Sequence, residues 1–243
     1  LGPYVHDEFS YQLQAETYLA GRLDWPGVPR ARELFHQMHV LNEDQFASRY
    51  FPGTGAWLAP FVAVGFPVGA PWLAGAIVAS LAASITRRTH GPWAGWLPGL
   101  LVAVAPGGNI FNNLLLAHGP TLVGLMVCLY FFRRLFDQIT ARSAMGAGTG
   151  LTLAMLCRPL TAASVALPFG LWWAANGLVL PVLRGTRPAA EWWRGTLAMG
   201  APLVVGFAIL GWQNGTITGN VLKTPYSLYN TLYTPRHAFA FRE

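Results

Sequence analysis

The 243-residue sequence predicts an all-α, polytopic membrane protein. The expectation is about six transmembrane helices, with interfacial helices in a large first outer loop. Three observations carry it. Hydrophobic residues make up 53% of the chain and charged residues only 11%, where soluble domains average about 25% charged. Mean hydropathy is +0.37, and the apolar residues fall into long runs separated by short polar gaps. Fifteen of the sixteen basic residues are Arg, and they recur in those gaps. That distribution fits membrane topology; a nucleic-acid groove would need the cations on one patch.

The organisation read along the chain is an outer loop over 1–53, a transmembrane core over 54–212 and a second outer loop over 213–243. Asp7 to Leu23 lacks Pro and has no Gly before Gly21, which suits an amphipathic interfacial helix ending there. Asp24-Trp25-Pro26-Gly27 breaks it, and Arg30 to Gln45 reads as a loop or a second short helix. Residues 54–66 are apolar but short of the ~20 needed to span a bilayer. Further runs follow at 71–86, 92–106, 114–132, 144–157, 161–183 and 195–212. Trp172-Trp173 and Trp192-Trp193 read as interfacial belts. Cys128 and Cys157 fall near opposite membrane faces, which argues against a disulfide. Leu1 opens the chain without Met and Glu243 closes a polar stretch, so the sequence reads as a piece of a longer protein with a helix expected before Leu1.

The gaps at 87–91, 133–143 and 184–194 hold eight Arg; the alternate gaps, 107–113 and around 158, hold one. By the positive-inside rule the Arg-rich gaps are cytoplasmic. Six spans then put residues 1–50, the Asn112 turn, Arg158 and the tail on the outer face, provided 54–66 does not cross by itself.

Acidic residues are scarce. Seven of the ten lie at or before Asp44, and none lies between Gln45 and Leu135. Among them Asp7-Glu8 stands out. It suits helix N-terminal capping, and it also suits a general base beside a carboxylate that orients the reacting group. Arg158 interrupts two apolar runs at membrane depth, where an unpaired charge is costly; it reads as an anion ligand or as a snorkelling helix-end residue. Arg49 and Lys223, the only lysine, are further cations of the outer segments. Asn112, Asn113 and His118 open a span and suit a polar pocket or ordinary interhelical bonding. His36, His39, Glu43 and Asp44 match no zinc spacing and read as a solvated loop. Asn214-Gly215-Thr216 fits a glycosylation acceptor.

Three stretches, "VHDEFSYQLQAETYLAGRL", "FASRYFPGTG" and "LCRPLTAA", together resemble bacterial membrane glycosyltransferases of the GT-C superfamily. The likeness is to the protein O-mannosyltransferase and lipid A aminoarabinose transferase branches, glycosyltransferase family 39-like, and covers most of the chain. The resemblance implies a multi-spanning enzyme of the bacterial inner membrane whose active site faces the periplasm. The donor would be a polyprenyl-phosphate sugar, the acceptor a lipid, glycan or protein hydroxyl, and transfer would invert the anomeric centre. It assigns Asp7 as the base and Glu8 as its acceptor-orienting partner. Arg158, Lys223 and Arg49 would face the donor phosphate, and Tyr11, Tyr50, Asn112, Asn113 and His118 the substrate pocket. No cofactor is required by the resemblance, and a divalent metal near Asp7 is compatible with it. Membrane lipids are the remaining partner, and nucleic acid is not one. A polytopic transporter or lipid flippase is the alternative of another class, and a non-catalytic scaffold a third; the sequence shows neither the repeated halves nor the intramembrane carboxylates that transporters often carry.

Overall fold

The computed structural model describes residues 3–28, 30, 33–185 and 190–235. Arg187 of the Arg-rich 184–194 gap and the tail from 236 lie outside the described residues. Among the described residues the chain is all-α apart from one small sheet, and it separates into two compact units, each built from non-consecutive segments.

The first unit comprises Leu1–Trp72, Asn113–Ala117 and Ala208–Glu243. Helix α1 runs His6–Leu19 and stops at Gly21, whose φ of 70° is the left-handed value a helix end commonly uses. Its buried face is not the apolar one. Glu8, Ser10, Tyr11, Gln14, Ala15 and Thr17 point inward at helical spacing, while Phe9 and Leu19 are exposed. Polar groups tolerate that burial because they find partners: Gln14 Nε2 donates to Tyr50 O and Thr17 Oγ1 to Leu13 O.

Arg30–Gln45, expected as a loop or second short helix, is turn and loop over 33–39 and then a strand, and the segments on either side add two more. β1 (Trp25–Pro26), β2 (Val40–Asn42) and β3 (Gln45–Ser48) form an antiparallel sheet in the order β1-β3-β2. The β2–β3 hairpin pairs Val40 with Ser48 and Asn42 with Phe46, turning at Glu43-Asp44. Helix α2, Pro52–Ala63, starts with Pro in its first turn, where the missing N–H costs nothing. Its twelve residues span about 18 Å, too short for a bilayer. Gly55 admits the Gln14 side chain, whose Oε1 accepts from Gly55 N at 3.2 Å; a Cβ there would sit 2.6 Å from Gln14 Cγ. Tyr11, Ala15, Leu58, Ala70, Leu115 and Ala117 form the core beside it. A second cluster of Leu41, Ala47, Ile217 and Tyr229 packs the hairpin.

The second unit comprises Leu73–Asn112 and His118–Phe207. Its helices are α3 (Gly69–His90, entering the unit at Leu73), α4 (Trp96–Val104), α5 (Pro106–Phe111), α6 (His118–Leu135), α7 (Ala141–Cys157), α8 (Pro159–Ala174), α9 (Leu180–Leu183) and α10 (Ala190–Thr218, leaving it after Phe207). A π-helical turn, Ala175–Val179, makes α8 and α9 continuous. Close α6–α7 packing depends on small residues: a Cβ at Gly150 would lie 2.4 Å from Cys128 N. Both cysteines are free thiols.

Among the described residues three helices are long and apolar enough to cross a membrane: Gly69–His90, Pro159–Leu183 and Ala190–Thr218. That is fewer than the six expected. Within the 92–106 run the α-helix covers only Trp96–Val104, and Pro106 starts a separate short helix beyond it. The 114–132 run begins its helix only at His118, and Arg133 and Arg134 complete it. The tryptophan belts also need correction. Trp173 and Trp192 are buried, with rings stacked 5.9 Å apart, and Trp173 Nε1 donates to Thr196 Oγ1. Only Trp172 and Trp193 remain exposed.

Candidate functional site

The first unit gathers a polar cluster around Asp7. The N-terminus of α1 presents its carboxylate, and the hairpin and the residues after β3 bring two donors to a single oxygen. Tyr50 Oη donates to Asp7 Oδ1 at 2.7 Å, and His39 Nε2 lies 2.9 Å from the same atom. The Asp7 side chain is 43% exposed, and its second oxygen has no hydrogen bond among the described residues. The carboxylate is therefore held in orientation on one side and open to a ligand on the other.

His39 is the most constrained residue of the cluster. Its φ of 68° is a left-handed conformation rare outside glycine, and such strain persists only where the surroundings over-determine it. Here three contacts do so. His39 N donates to Tyr229 Oη at 3.1 Å, and His39 O accepts from Ser10 Oγ at 2.7 Å and from Arg49 N at 3.1 Å. Ser10 Oγ also pairs with Ser48 Oγ. Burial, then the charges of Arg49 and His6, lower the imidazole's pKa against the opposing pull of Asp7. The ring is thus neutral at pH 7, with Nε2–H directed at Asp7 and Nδ1 buried without a partner among the described residues. Tyr50 is shifted upward, first by burial and then by its bond to Asp7, so its phenol stays protonated as a donor.

Arg49 sits in a tyrosine cage, its guanidinium carbon 5.1, 4.6 and 4.7 Å from the ring centres of Tyr50, Tyr226 and Tyr229. Cation–π attraction fixes it there, with one N–H reaching Asn230 Oδ1. Tyr11 stacks on Tyr50 with ring centres 4.3 Å apart. Asp7, Tyr11, Arg49 and Tyr50, four of the expected site residues, are therefore one cluster.

Glu8 plays another part. It is 1% exposed, and three backbone groups occupy its carboxylate: Tyr4 N and Val5 N donate to Oε2 at 2.7 and 3.0 Å, and Leu115 N donates to Oε1 at 2.7 Å. It starts α1 and fastens the 113–117 segment, which leaves it no lone pair facing solvent for orienting an acceptor. Lys223 lies half-buried in the turn before α11 (Pro225–Tyr233) and pairs with no carboxylate among the described residues. Asn113 is exposed in the 113–117 segment. Asn214 is 6% exposed, with its amide bonded to Val221 O, so the glycosylation-acceptor match is closed by burial.

The second unit has its own cavity of about 380 Å³, within the range of small-ligand sites. Asn112, His118 and Arg158 line it among largely apolar neighbours such as Val78, Phe111 and Leu122. Arg158 caps both α7 and α8, and Pro159 after it starts the new helix; that break places a cation on the wall. The His118 ring lies tilted against Phe111, with centres 4.6 Å apart.

Among the described residues no three His, Cys, Asp or Glu side chains group as metal ligands. Of the loop residues weighed for that role, His39 belongs to the Asp7 cluster, and Glu43 accepts from Tyr233 Oη. Sequence reasoning weighed His39 only as a loop or metal-binding residue and passed over Tyr226 and Tyr229. The last two lie about 180–190 residues from their partners, and the one signal for them was the tyrosine content of the tail. Comparison with known proteins finds no matching family model, no matching curated protein and no matching solved structure.

Proposed function

We propose that the protein is a polytopic membrane glycosyltransferase of the GT-C kind, transferring a sugar from a polyprenyl phosphate to an acceptor hydroxyl with inversion. The observation that carries this is the half-held Asp7 carboxylate: Oδ1 takes Tyr50 and His39, and Oδ2 is left for a substrate proton. In the reaction Asp7 accepts the hydroxyl proton as the acceptor oxygen attacks the anomeric carbon. The bond from that carbon to the phosphate oxygen breaks, and its electron pair leaves with the polyprenyl phosphate. Neutral His39 and Tyr50 hold the base without delivering a proton of their own. Glu8 has no chemical step in this reading.

Taken by itself, the second unit has a cavity of a kind that suits a prenyl-phosphate ligand. Its apolar wall suits a prenyl chain and Arg158 a phosphate. The spans beyond the three long helices, the inner-membrane location and the cytoplasmic placing of the Arg-rich gaps belong to the same proposal, which rests on charge distribution.

The test is transfer by the protein reconstituted in vesicles with a panel of polyprenyl-phosphate sugars and hydroxyl acceptors. Asp7→Asn is expected to lower transfer by about 10²–10⁴-fold while helix content and vesicle incorporation stay unchanged. Wild-type turnover in that variant refutes the base. Movement of the lipid across the vesicle without a new glycosidic bond favours the transporter or flippase reading instead.

A further inference from the structure

A basic recess of about 320 Å³ in the second unit is lined by Ser84, Arg87, Arg88, Pro92 and Tyr130. It lies beside the last turn of α3, the end of a helix apolar and long enough to cross a bilayer. The two arginines are held differently. Arg88 Nε and Nη2 both donate to Asp137 Oδ2, at 3.2 and 3.1 Å, and Arg133 Nη1 takes the other oxygen at 2.9 Å. Asp137 is thereby spent, and Arg87 makes no ion pair among the described residues.

Arg87 is nevertheless positioned. Its aliphatic stem lies against Gly95, where a Cβ would come within 1.8 Å of Arg87 Cγ, so only glycine lets the chain fold back over it. Arg134 reaches the Tyr130 ring at 6.0 Å. Of the four guanidiniums at these helix ends, of Arg87, Arg88, Arg133 and Arg134, Asp137 pairs with Arg88 and Arg133, which leaves a local surplus of three positive charges. Trp93 and Trp96, 85% and 59% exposed, follow Pro92 of the recess lining in the chain, and exposed tryptophans suit the headgroup level of a bilayer.

We propose that this recess binds the phosphate of an anionic glycerophospholipid. Arg87 supplies the free bidentate donor and Tyr130 a hydroxyl; Ser84, whose hydroxyl donates to Ser80 O, only lines the wall, and the two tryptophans suit the lipid's glycerol region. Charge complementarity at the end of a spanning helix selects a membrane lipid as the occupant. The inference rests on Gly69–His90 lying in a membrane and is independent of glycosyl transfer.

The experiment has two parts. Flotation with phosphatidylcholine vesicles tests membrane residence alone; failure to float removes the bilayer and the proposal with it. Native mass spectrometry of the detergent-solubilised protein then compares retention of phosphatidylglycerol with that of phosphatidylcholine, with inorganic phosphate as competitor. Wild type is expected to retain phosphatidylglycerol preferentially. Arg87→Gln should lower that preference about fivefold, and Tyr130→Phe, the milder variant, should lower it less. Arg142→Gln, at the start of α7 outside the recess, should leave it unchanged. Equal retention of the two lipids in a protein that floats, equal losses in Arg87→Gln and Arg142→Gln, or displacement of the lipid by inorganic phosphate each overturns the proposal.

Discussion

Replacing Glu8 by Gln separates two adjacent carboxylates by their energetics. Glu8 is 1% exposed and receives three backbone N–H bonds. A glutamine can keep its oxygen toward Tyr4 and Val5, but its NH₂ then faces Leu115 N–H, two donors with no acceptor between them. The charge-assisted bond that is lost contributed about 1.5–3 kcal/mol, and the buried amide left unsatisfied costs about 1–3 kcal/mol more. Those terms overlap, so the expected destabilisation is about 3 kcal/mol, a large share of the 5–15 kcal/mol that typically separates folded from unfolded states. Asp7→Asn, on a half-exposed group, should cost about 1 kcal/mol or less. The assay is denaturant unfolding of both variants in one detergent, with hydrogen exchange at the Leu115 amide as a local readout. If Glu8→Gln unfolds within about 0.5 kcal/mol of wild type and Leu115 stays protected, the structural assignment of Glu8 is wrong.

Other expectations follow from the same contacts. His39 has a pKa below its ordinary 6.5 in the fold, so between the two values the unfolded chain binds more protons. Its contribution to stability is therefore complete above 6.5 and is lost as pH falls through the lowered value. Asp7, His6, Arg49, Tyr50 and Tyr229 are the charged or titratable groups facing it; unfolding midpoints measured against pH should fall below 6.5 in wild type and lose that slope in His39→Gln. Trp173→Ala should cost about 3–5 kcal/mol because the ring is buried against Trp192, whereas Trp193→Ala should cost far less; similar unfolding midpoints for the two would restore the belt reading. Gly150→Val should prevent close α6–α7 packing, since the clash falls on Cys128 backbone nitrogen. Loss of cooperative unfolding on heating is the expected result, and a wild-type transition counts against the helix pair.

Much of the helical content was legible in the sequence because apolar runs bounded by Gly, Pro and Arg carry their own limits. Gly21 marks a helix end, and Pro52 and Pro159 mark helix starts, for local backbone reasons. Helix length was less legible. The 92–106 run is continuous in hydropathy, yet its α-helix covers only Trp96–Val104 and stops before Pro106. The buried face of α1 was hidden as well, since Ser10, Gln14 and Thr17 are buried through hydrogen bonds to partners distant in sequence or one turn back, a pattern that hydropathy alone scores as surface.

Asp7 illustrates the division most clearly. Scarcity of acidic residues drew attention to the Asp7-Glu8 pair, and composition with charge spacing determined an all-α chain with helices suited to a membrane. Nothing in the order of residues could tell the two carboxylates apart, because both sit in the first turn of one helix. The helix rotates one toward Leu115 and the other toward His39 and Tyr50, and only that rotation, fixed by contacts spanning up to 107 residues, decides which is a tether and which is open. The tyrosine cage of Arg49 arises in the same way, from segments that meet through packing and not through sequence proximity.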